Sequence, residues 1–246
     1  MENRVSVLGI PFDNMSMEEA VEAVYAMRLE EKNHRVVTPN AEIVYLARTE
    51  EKLREILRTS DFVAPDGIGV VYGAKLLKTP LKQKVAGIEL GEHLLEKISL
   101  SGEGVFFLGA KPGIAQAAAD KLSAKYPGLN VVGTQDGYFQ DVDAVIKQVN
   151  QSGAVVLFVC LGAPKQEYFM AEHQDKFTSV RIMMGLGGSL DGYAGTVKRA
   201  PKWMIRLGLE WLYRLLKEPS RIGRMMALPK FMLCVLKNRK KEVAGK

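Results

Sequence analysis

Three polar side chains that could orient and activate a hydroxyl group follow apolar stretches in the first third of the chain. Asp66 lies in Ala64-Pro-Asp-Gly67, after an expected strand and before an expected helix, while Thr38 and Asn40 end another strand. A carboxylate at the carboxyl edge of a parallel sheet is well placed to act as a general base. Two alternatives stay open: Asp66 could cap the helix that follows it, and Thr38 and Asn40 could make a local side-chain turn.

Two later stretches have the character of anion-binding turns. Residues 105–113 and 155–167 are apolar runs that stop at Gly109 and Gly162 and lead directly into a helical pattern. Such turns place helix N-terminal amides at the carboxyl edge of a sheet, where phosphate binds well. We therefore predict a phosphate-bearing ligand between the two turns; the alternative is that the glycines only permit tight turns.

The chain offers weak signals for a metal or a dinucleotide. Asp141 and Asp143 match an Asp-x-Asp pattern, but they open a helix, where the helix dipole favours acids. The histidines, His34, His93 and His173, lack ligand spacing. We expect no metal site and no cofactor.

Residues 185–188 resemble a fragment of a dinucleotide fingerprint but lack its full spacing and its acidic partner. Asp191, which follows them, could accept a hydrogen bond from a ribose hydroxyl or could be a turn residue.

Alternating strands and short-linked helices must position these residues. Apolar runs bounded by turn residues predict strands near 4–10, 34–38, 60–64, 104–109, 130–134, 154–161 and 180–185. Helices are expected between them, including one over 41–58, while 11–15 reads as a loop. This order predicts an α/β fold with a doubly wound, mainly parallel sheet and helices on both faces.

The charge distribution separates the last fifty residues from the rest. The net charge is +6, yet the segment from Lys198 to the end has fourteen basic and three acidic residues, so it carries +11 and the remainder −5. No strand pattern follows Thr196, and helices there break near Pro219 and Pro229. We predict a catalytic α/β domain over 1–196 and a basic amphipathic helical appendage over 197–246.

The appendage has the composition of a membrane-surface segment. Trp203, Trp211 and Tyr213 accompany basic residues outside an apolar stripe, a pattern that binds anionic membranes. A further set of large apolar side chains suits lipid better than nucleic acid: Met225, Met226, Leu228, Phe231, Met232 and Leu233. The alternative is an ordinary helix that packs its apolar stripe on the body, and it stays open for part of the segment. We expect an anionic membrane partner and no nucleic acid, and the apolar surface also makes a homo-oligomer an expectation.

The cysteines, the amino terminus and the lengths of the apolar stretches indicate the cellular compartment. The two cysteines, Cys160 and Cys234, lie far apart in apolar runs, which suits a reducing cytoplasm. The amino terminus has no signal pattern, and no stretch approaches the length of a spanning helix. The expected location is cytoplasmic, peripherally attached to the inner face of a bacterial plasma membrane.

Several motifs taken together resemble the WecG/TagA/CpsF family of glycosyltransferases over nearly the whole chain. They are Thr38-Pro-Asn40, Pro65-Asp-Gly67, residues 107–113, Tyr126-Pro-Gly128, residues 136–139, residues 161–167, residues 199–203, and residues 208–215 with Glu218-Pro219. Their shared order makes the signal specific, and the pattern is most similar to the branch of wall teichoic acid synthesis.

The resemblance implies an inverting, metal-independent transfer. N-acetylmannosamine would pass from a UDP donor to the 4-hydroxyl of N-acetylglucosamine on undecaprenyl diphosphate, giving a β-1,4 linkage. Asp66 would be the catalytic base, with Thr38 and Asn40 orienting the sugars. Alternatives are a uronic acid donor in the same family, or a non-catalytic nucleotide-binding protein that docks on membranes.

The resemblance also assigns the substrate-binding residues. The expected contacts to the nucleotide sugar are Gly109, Ala110, Lys111, Gly137, Tyr138, Gly162, Lys165, Gln166 and Asp191. Those to the phosphates or the lipid-linked substrate are Lys84, Arg214, Arg221 and Arg224. Lys84 and Glu89 depart from the family pattern, which has Arg and Asp there; Lys keeps the charge but lacks the bidentate fork of Arg.

Overall fold

The computed structural model describes residues 3–198, 200–217, 223 and 226–244. Strands β1 (Arg4–Val7) and β2 (Ile10–Asp13) form an antiparallel hairpin. The other strands are β3 (His34–Val37), β4 (Phe62–Val63), β5 (Gly104–Gly109), β6 (Asn130–Gln135), β7 (Val156–Cys160) and β8 (Ile182–Gly185). These six form one sheet in the order β4-β3-β8-β7-β5-β6, with every neighbouring pair parallel. The predicted α/β class is confirmed.

Helices connect the strands and continue beyond the last one. They are α1 (Met17–Ala26), α2 (Ala41–Leu46), α3 (Glu51–Thr59), α4 (Ile68–Leu76), α5 (Gly87–Ser101), α6 (Ile114–Lys125), α7 (Val142–Ser152), α8 (Lys165–His173), α9 (Ser189–Tyr193), α10 (Lys202–Arg206), α11 (Glu210–Lys217) and α12 (Ala227–Ala244). Within the described ranges, none of these helices combines the length and hydrophobicity that crossing a bilayer requires.

The sheet separates two hydrophobic cores. Helices α1, α5, α6 and α9 contribute buried side chains to one, and α2, α3, α4, α7, α8 and α12 to the other. Strand β7 contributes side chains to both cores. Leu157 and Val159 lie in one core, and the alternate residues lie in the other: Val156, Phe158 and Cys160. The predicted helices on both faces are therefore present.

Neighbouring strands lead to helices on opposite faces. Strand β5 leads to α6 on one face, whereas its neighbour β7 leads to α8 on the other. The same divergence separates β3, followed by α2, from β8, followed by α9. Such switch points open crevices at the carboxyl ends of the strands, where ligands of α/β proteins bind.

The amino-terminal hairpin differs from the prediction of a strand over 4–10 and a loop over 11–15. Leu8 and Gly9 both have positive φ, 52° and 87°, as a two-residue type I′ turn requires. Leucine rarely adopts this conformation, so the sequence signal is weak. The hairpin is joined to the sheet by Asp13, which accepts a 2.8 Å hydrogen bond from the Val63 amide.

The predicted helix over 41–58 is two helices, α2 and α3. The Thr49 hydroxyl donates to the Leu46 carbonyl (3.1 Å), a side-chain bond that competes with the helical ladder. Glu50 is extended, and its carboxylate accepts a 2.5 Å hydrogen bond from the Tyr168 hydroxyl on α8. That tertiary contact holds Glu50 outside the helix, which explains why the local sequence pattern misplaced the boundary.

Helix α12 packs on the body against α2 and α4. Phe231, which the sequence assigned to a lipid-facing set, is fully buried there with Val235. The assignment of Phe231 to lipid was wrong, because the size and apolar character of a side chain do not show whether lipid or the body of the protein covers it. Helix α12 begins at Ala227, so a helix boundary lies near Pro229, as predicted; Pro229 itself lies in the first turn, where proline is tolerated. The predicted break near Pro219 lies outside the described residues.

Candidate functional site

The predicted functional loops meet at the carboxyl edge of the sheet. Because all six strands are parallel, the turns that follow them open at the same side. Backbone and side-chain hydrogen bonds then tie these turns to one another, so the site is a set of joined loops.

The Asp66 loop follows β4. Helix α4 begins at Ile68 with Gly67 in the N-cap position at φ 83°, so half-buried Asp66 does not occupy that position. The Pro65 carbonyl accepts a 3.0 Å hydrogen bond from the Val85 amide. This bond places the segment that carries Lys84 beside the Asp66 loop.

Thr38 and Asn40 join the loops around Asp66. The buried Thr38 hydroxyl donates to the Gly185 carbonyl (3.0 Å) at the end of β8, so it crosses strands and is not part of a local turn. Asn40 caps α2, because its Oδ1 accepts from the Ile43 amide at 3.1 Å. A Cβ atom built on Gly67 would lie 3.7 Å from the Asn40 Cβ, so the loops after β3 and β4 are in contact.

The turns after β5, β6 and β7 form the other half of the edge. The Ala110 amide donates to the Cys160 carbonyl (3.1 Å), and the Gly137 amide donates to the Ala110 carbonyl (2.9 Å). Gly109 has φ 129°, and a Cβ built there would lie 2.3 Å from the Cys160 carbonyl oxygen. Glycine is therefore required at Gly109 for two strand ends to approach closely.

Two lysines and a tyrosine lie exposed around these turns. Lys111 precedes α6, whose N-cap residue Gly113 supplies no side-chain cap. The Lys165 ammonium lies 5.5 Å from the centre of the Phe139 ring. Tyr138 is 67% exposed, so its ring is available for contact with a ligand.

Gln166 lies in the first turn of α8, just after the turn that follows β7, and its side chain points into the protein. Its Oε1 accepts a 2.8 Å hydrogen bond from the Gly187 amide, and its Nε2 donates to the Glu167 carboxyl at 2.9 Å. Gln166 thereby joins the turn after β7 to the turn after β8.

Asp191 lies in α9, beyond the turn after β8. Its Oδ1 accepts from the Thr196 hydroxyl at 3.4 Å, and its carbonyl accepts from the Thr196 amide at 3.0 Å. Burial raises the pKa of the neighbouring Cys160 thiol to about 12, and the Asp191 carboxylate adds to this rise. Cys160 is thus a neutral thiol at neutral pH.

The Asp-x-Asp pair has structural partners, as the helix-start interpretation predicts. Asp141 caps α7 by accepting from the Ala144 amide at 3.0 Å, and Asp143 pairs with Lys176 at 2.9 Å. In the part of the chain that the structure describes, no cluster of three or more His, Cys, Asp or Glu residues could hold a metal ion.

Arg214, Arg221 and Arg224, the arginines predicted to bind phosphate or the lipid-linked substrate, cannot be placed as side chains in the described part of the chain. Arg214 lies in α11, but its side chain is outside the described part of the chain, and Arg221 and Arg224 lie outside the described residues.

Sequence reasoning missed three residues that shape the site. Gly87 abuts Thr38, since a Cβ built on Gly87 would lie 2.9 Å from the Thr38 hydroxyl oxygen. Gly185 makes room for Gln166 in the same way, and Glu167 binds Gln166 from within the core. Gly87 and Glu167 lie within motifs of the family pattern, which is the signal that could have singled them out.

The fold is an α/β fold whose candidate site residues lie in turns at the carboxyl edge of a parallel sheet, where ligands of such proteins commonly bind. The sequence model of the "Glycosyl transferase WecG/TagA/CpsF family" matches residues 5–244. The chain belongs to this glycosyltransferase family, as the resemblance predicted.

Curated relatives extend over most of the chain. A Bacillus subtilis (strain 168) protein is 36% identical over 236 residues, covering 96% of this chain and 92% of the relative. A Staphylococcus aureus (strain MRSA252) protein is 35% identical over 241 residues, covering 97% and 94%. A Bacillus spizizenii protein is 39% identical over 203 residues, covering 82% and 79%. Each is named N-acetylglucosaminyldiphosphoundecaprenol N-acetyl-beta-D-mannosaminyltransferase.

Proposed function

We propose that this protein transfers N-acetylmannosamine from UDP-N-acetylmannosamine to the 4-hydroxyl of N-acetylglucosaminyl-diphospho-undecaprenol, with inversion to a β-1,4 linkage, in wall teichoic acid linkage-unit synthesis. The observation that carries the proposal is the shared name of relatives that are 35–39% identical over most of the chain. The alternative donor within the same family is the uronic acid form of the sugar.

Asp66 is the proposed catalytic base. Its carboxylate takes the proton from the acceptor 4-hydroxyl while that oxygen bonds to the anomeric carbon of the donor. The bond from this carbon to the β-phosphate oxygen breaks, and its electron pair leaves with UDP. Two features support this role: Asp66 is not at the N-cap position of α4, and Thr38 and Asn40 lie in loops that contact its own.

The donor nucleotide is proposed to lie along the turns after β5, β6, β7 and β8. Gly109, Ala110, Gly137 and Gly162 lie in or beside these turns. The Ala110 and Gly137 amides shape the turns by donating to the Cys160 and Ala110 carbonyls, and exposed Tyr138 would stack on the uracil. Asp191 would bind the ribose. Gln166, at the start of α8, would contribute to the same site by holding the turn after β8 through the Gly187 amide.

Charge on the departing diphosphate requires nearby cations. Lys84, Lys111 and Lys165 are the proposed contributors from the body, together with the C-terminal arginines, Arg214, Arg221 and Arg224. We propose that the reaction needs no divalent metal, which agrees with the structural partners of Asp141 and Asp143.

The acceptor's lipid chain places the reaction at a membrane, and residues 197–246 are the proposed appendage that meets its anionic inner face. Trp203 is 60% exposed, Leu207 64% and Leu216 71%, an unusual density of exposed apolar side chains beside basic residues. A homo-oligomer that covers this surface away from the membrane is a further proposal. Light scattering of the full chain with and without anionic vesicles tests it.

The deciding experiment is transfer from UDP-N-acetylmannosamine to a short-chain prenyl-diphosphate N-acetylglucosamine in EDTA. Wild type, Asp66→Asn and the surface control Asp143→Asn are compared. We expect turnover by wild type and the control, and a loss of at least about a hundred-fold in Asp66→Asn with UDP binding retained.

Each other outcome removes a defined part of the proposal. Full activity of Asp66→Asn excludes Asp66 as the base. UDP binding by the wild type without transfer to any acceptor, with either donor sugar, favours the non-catalytic nucleotide-binding alternative. Transfer that requires added Mg²⁺ refutes metal independence.

A further inference from the structure

Glu167 is a buried acid directly behind the site. Its side chain is 1% exposed, and its Oε1 accepts a 2.9 Å hydrogen bond from the Gln166 Nε2. Its Oε2 has no hydrogen-bond partner among the described residues. An ionised carboxylate is costly in such surroundings. Burial accordingly raises the pKa of Glu167.

Two opposite hydrogen bonds set the orientation of the Gln166 amide. Its nitrogen donates to Glu167, and its oxygen accepts from the Gly187 amide at 2.8 Å. Rotating the amide by half a turn would place its NH2 group against the Gly187 N–H, so that two donors face each other. It would also place its oxygen against the Glu167 carboxyl oxygen. An acceptor at Glu167 therefore selects the orientation that holds the Gly187 turn.

The same contacts lead to Thr38. A Cβ atom built on Gly185 would lie 2.9 Å from the Gln166 Nε2, so Gln166 lies directly over the end of β8. The carbonyl of Gly185 accepts the hydrogen bond from the Thr38 hydroxyl. Glu167, Gln166, the end of β8 and Thr38 thus form one continuous set of contacts beneath the proposed donor site.

We propose that Glu167 is a positioning residue: it holds the Gln166 amide in one orientation, and Gln166 in turn fixes the Gly187 turn for binding of the donor nucleotide. The inference rests on the proposed function, which puts the nucleotide sugar at these turns. The carboxyl touches no substrate and acts through Gln166. The Glu167 Oε1 serves this purpose because it presents an acceptor to the Gln166 Nε2.

The experiment compares Glu167→Gln, Glu167→Leu and the control Glu172→Gln. Glutamine keeps an acceptor of similar shape, whereas leucine fills the space without one. Glu172 lies on the same helix, but it is exposed and pairs with Lys52 at the surface. The readouts are the hydrogen-exchange rate of the Gly187 amide by NMR, the dissociation constant of UDP, and the separate KM values of donor and acceptor.

In Glu167→Leu we expect Gly187 exchange to accelerate about ten-fold. UDP binding and donor KM should each weaken by about the same factor, which corresponds to one hydrogen bond, or about 1.4 kcal/mol. The acceptor KM should stay within about two-fold of wild type. Glu167→Gln and Glu172→Gln should stay within about two-fold of wild type in every readout.

Two outcomes overturn the inference. Unchanged Gly187 exchange in Glu167→Leu shows that Glu167 does not hold the turn. Faster exchange with unchanged UDP binding and donor KM shows that the turn does not serve the donor. Failure of the proposed function is seen separately, as a wild type that neither binds UDP nor transfers sugar, while the Gly187 exchange rates still report on the positioning contact.

Discussion

Substituting alanine for Gly87 tests the geometry around Thr38. A Cβ atom at position 87 would lie 2.9 Å from the Thr38 Oγ1 and 3.0 Å from both its Cβ and its Cγ2. Comfortable contacts between such atoms are about 3.5–4.0 Å. Thr38 must therefore move by roughly half an ångström, and it cannot simply rotate, because β-branched side chains are stiff and its hydroxyl is bonded to Gly185.

Opposing terms make the cost in stability small. Overpacking of this kind costs about 1–3 kcal/mol, while alanine is favoured over glycine in a helix by up to about 1 kcal/mol. The net loss is roughly 1 kcal/mol, which lowers Tm by about 2–4 °C in a chain of this length. Activity should suffer more. A misplacement of about 1 Å near the reacting atoms can cost about a hundred-fold, so half that distance should cost about ten-fold in kcat/KM.

The assay is steady-state transfer together with thermal unfolding. Ser99→Ala is the control: Ser99 lies on α5, the helix that begins at Gly87, and its hydroxyl donates within that helix to the Glu96 carbonyl at 2.6 Å. The double variant Gly87→Ala/Thr38→Ser removes the clashing Cγ2, so Gly87→Ala should cost less stability in that background, with a coupling of at least about 0.5 kcal/mol.

The reasoning fails if Gly87→Ala keeps wild-type kcat/KM. It also fails if the two substitutions are additive in stability, because the clash would then not involve the Thr38 methyl group.

Three further predictions concern stability. Asp13→Ala should cost about 3 kcal/mol in urea unfolding, because Asp13 accepts from Arg4 at 3.0 Å and from the buried Val63 amide; a loss below about 1 kcal/mol would contradict this. Burial raises the folded-state pKa of Glu167 above its usual 4.5, so wild type loses stability as pH rises through that raised value, and glutamine does not. The Tm of Glu167→Gln relative to wild type should therefore rise with pH between the usual value of 4.5 and the raised folded-state pKa, and a constant difference would show that Glu167 ionises as readily in the folded protein as in the unfolded chain. Phe231→Ala should cost about 3–5 kcal/mol by cavity formation, measured by urea unfolding, whereas an unchanged midpoint would mean that α12 does not dock on the body.

Local patterns in the sequence were sufficient for the central architecture. Continuous apolar runs such as residues 104–109 and 154–161 can only be satisfied by strands covered on both faces, so the α/β class follows from them. The parallel arrangement then puts every strand end at one edge, and the turns after the strands were expected to meet there for that reason. The Asp141 cap was also predictable, because capping is a local interaction.

Contacts between distant segments were beyond such patterns. The hairpin turn requires a positive φ at Leu8, the boundary between α2 and α3 depends on Tyr168, and the burial of Phe231 depends on α2 and α4. The helix boundary and the burial of Phe231 are decided by residues far away in the sequence, whose free energy of contact overrides the local preference.

The same distinction between local features and contacts between distant segments applies to the candidate site. The sequence by itself offered Asp66, Thr38 and the glycine turns as candidates, because their residue types and their places at strand ends are local features. Only the tertiary structure decided that Thr38 is bonded to β8, that Gln166 turns inward, and that Glu167 supports it. Hydrogen-bond partners and steric clearance are properties of pairs of segments, and folding alone brings those segments together.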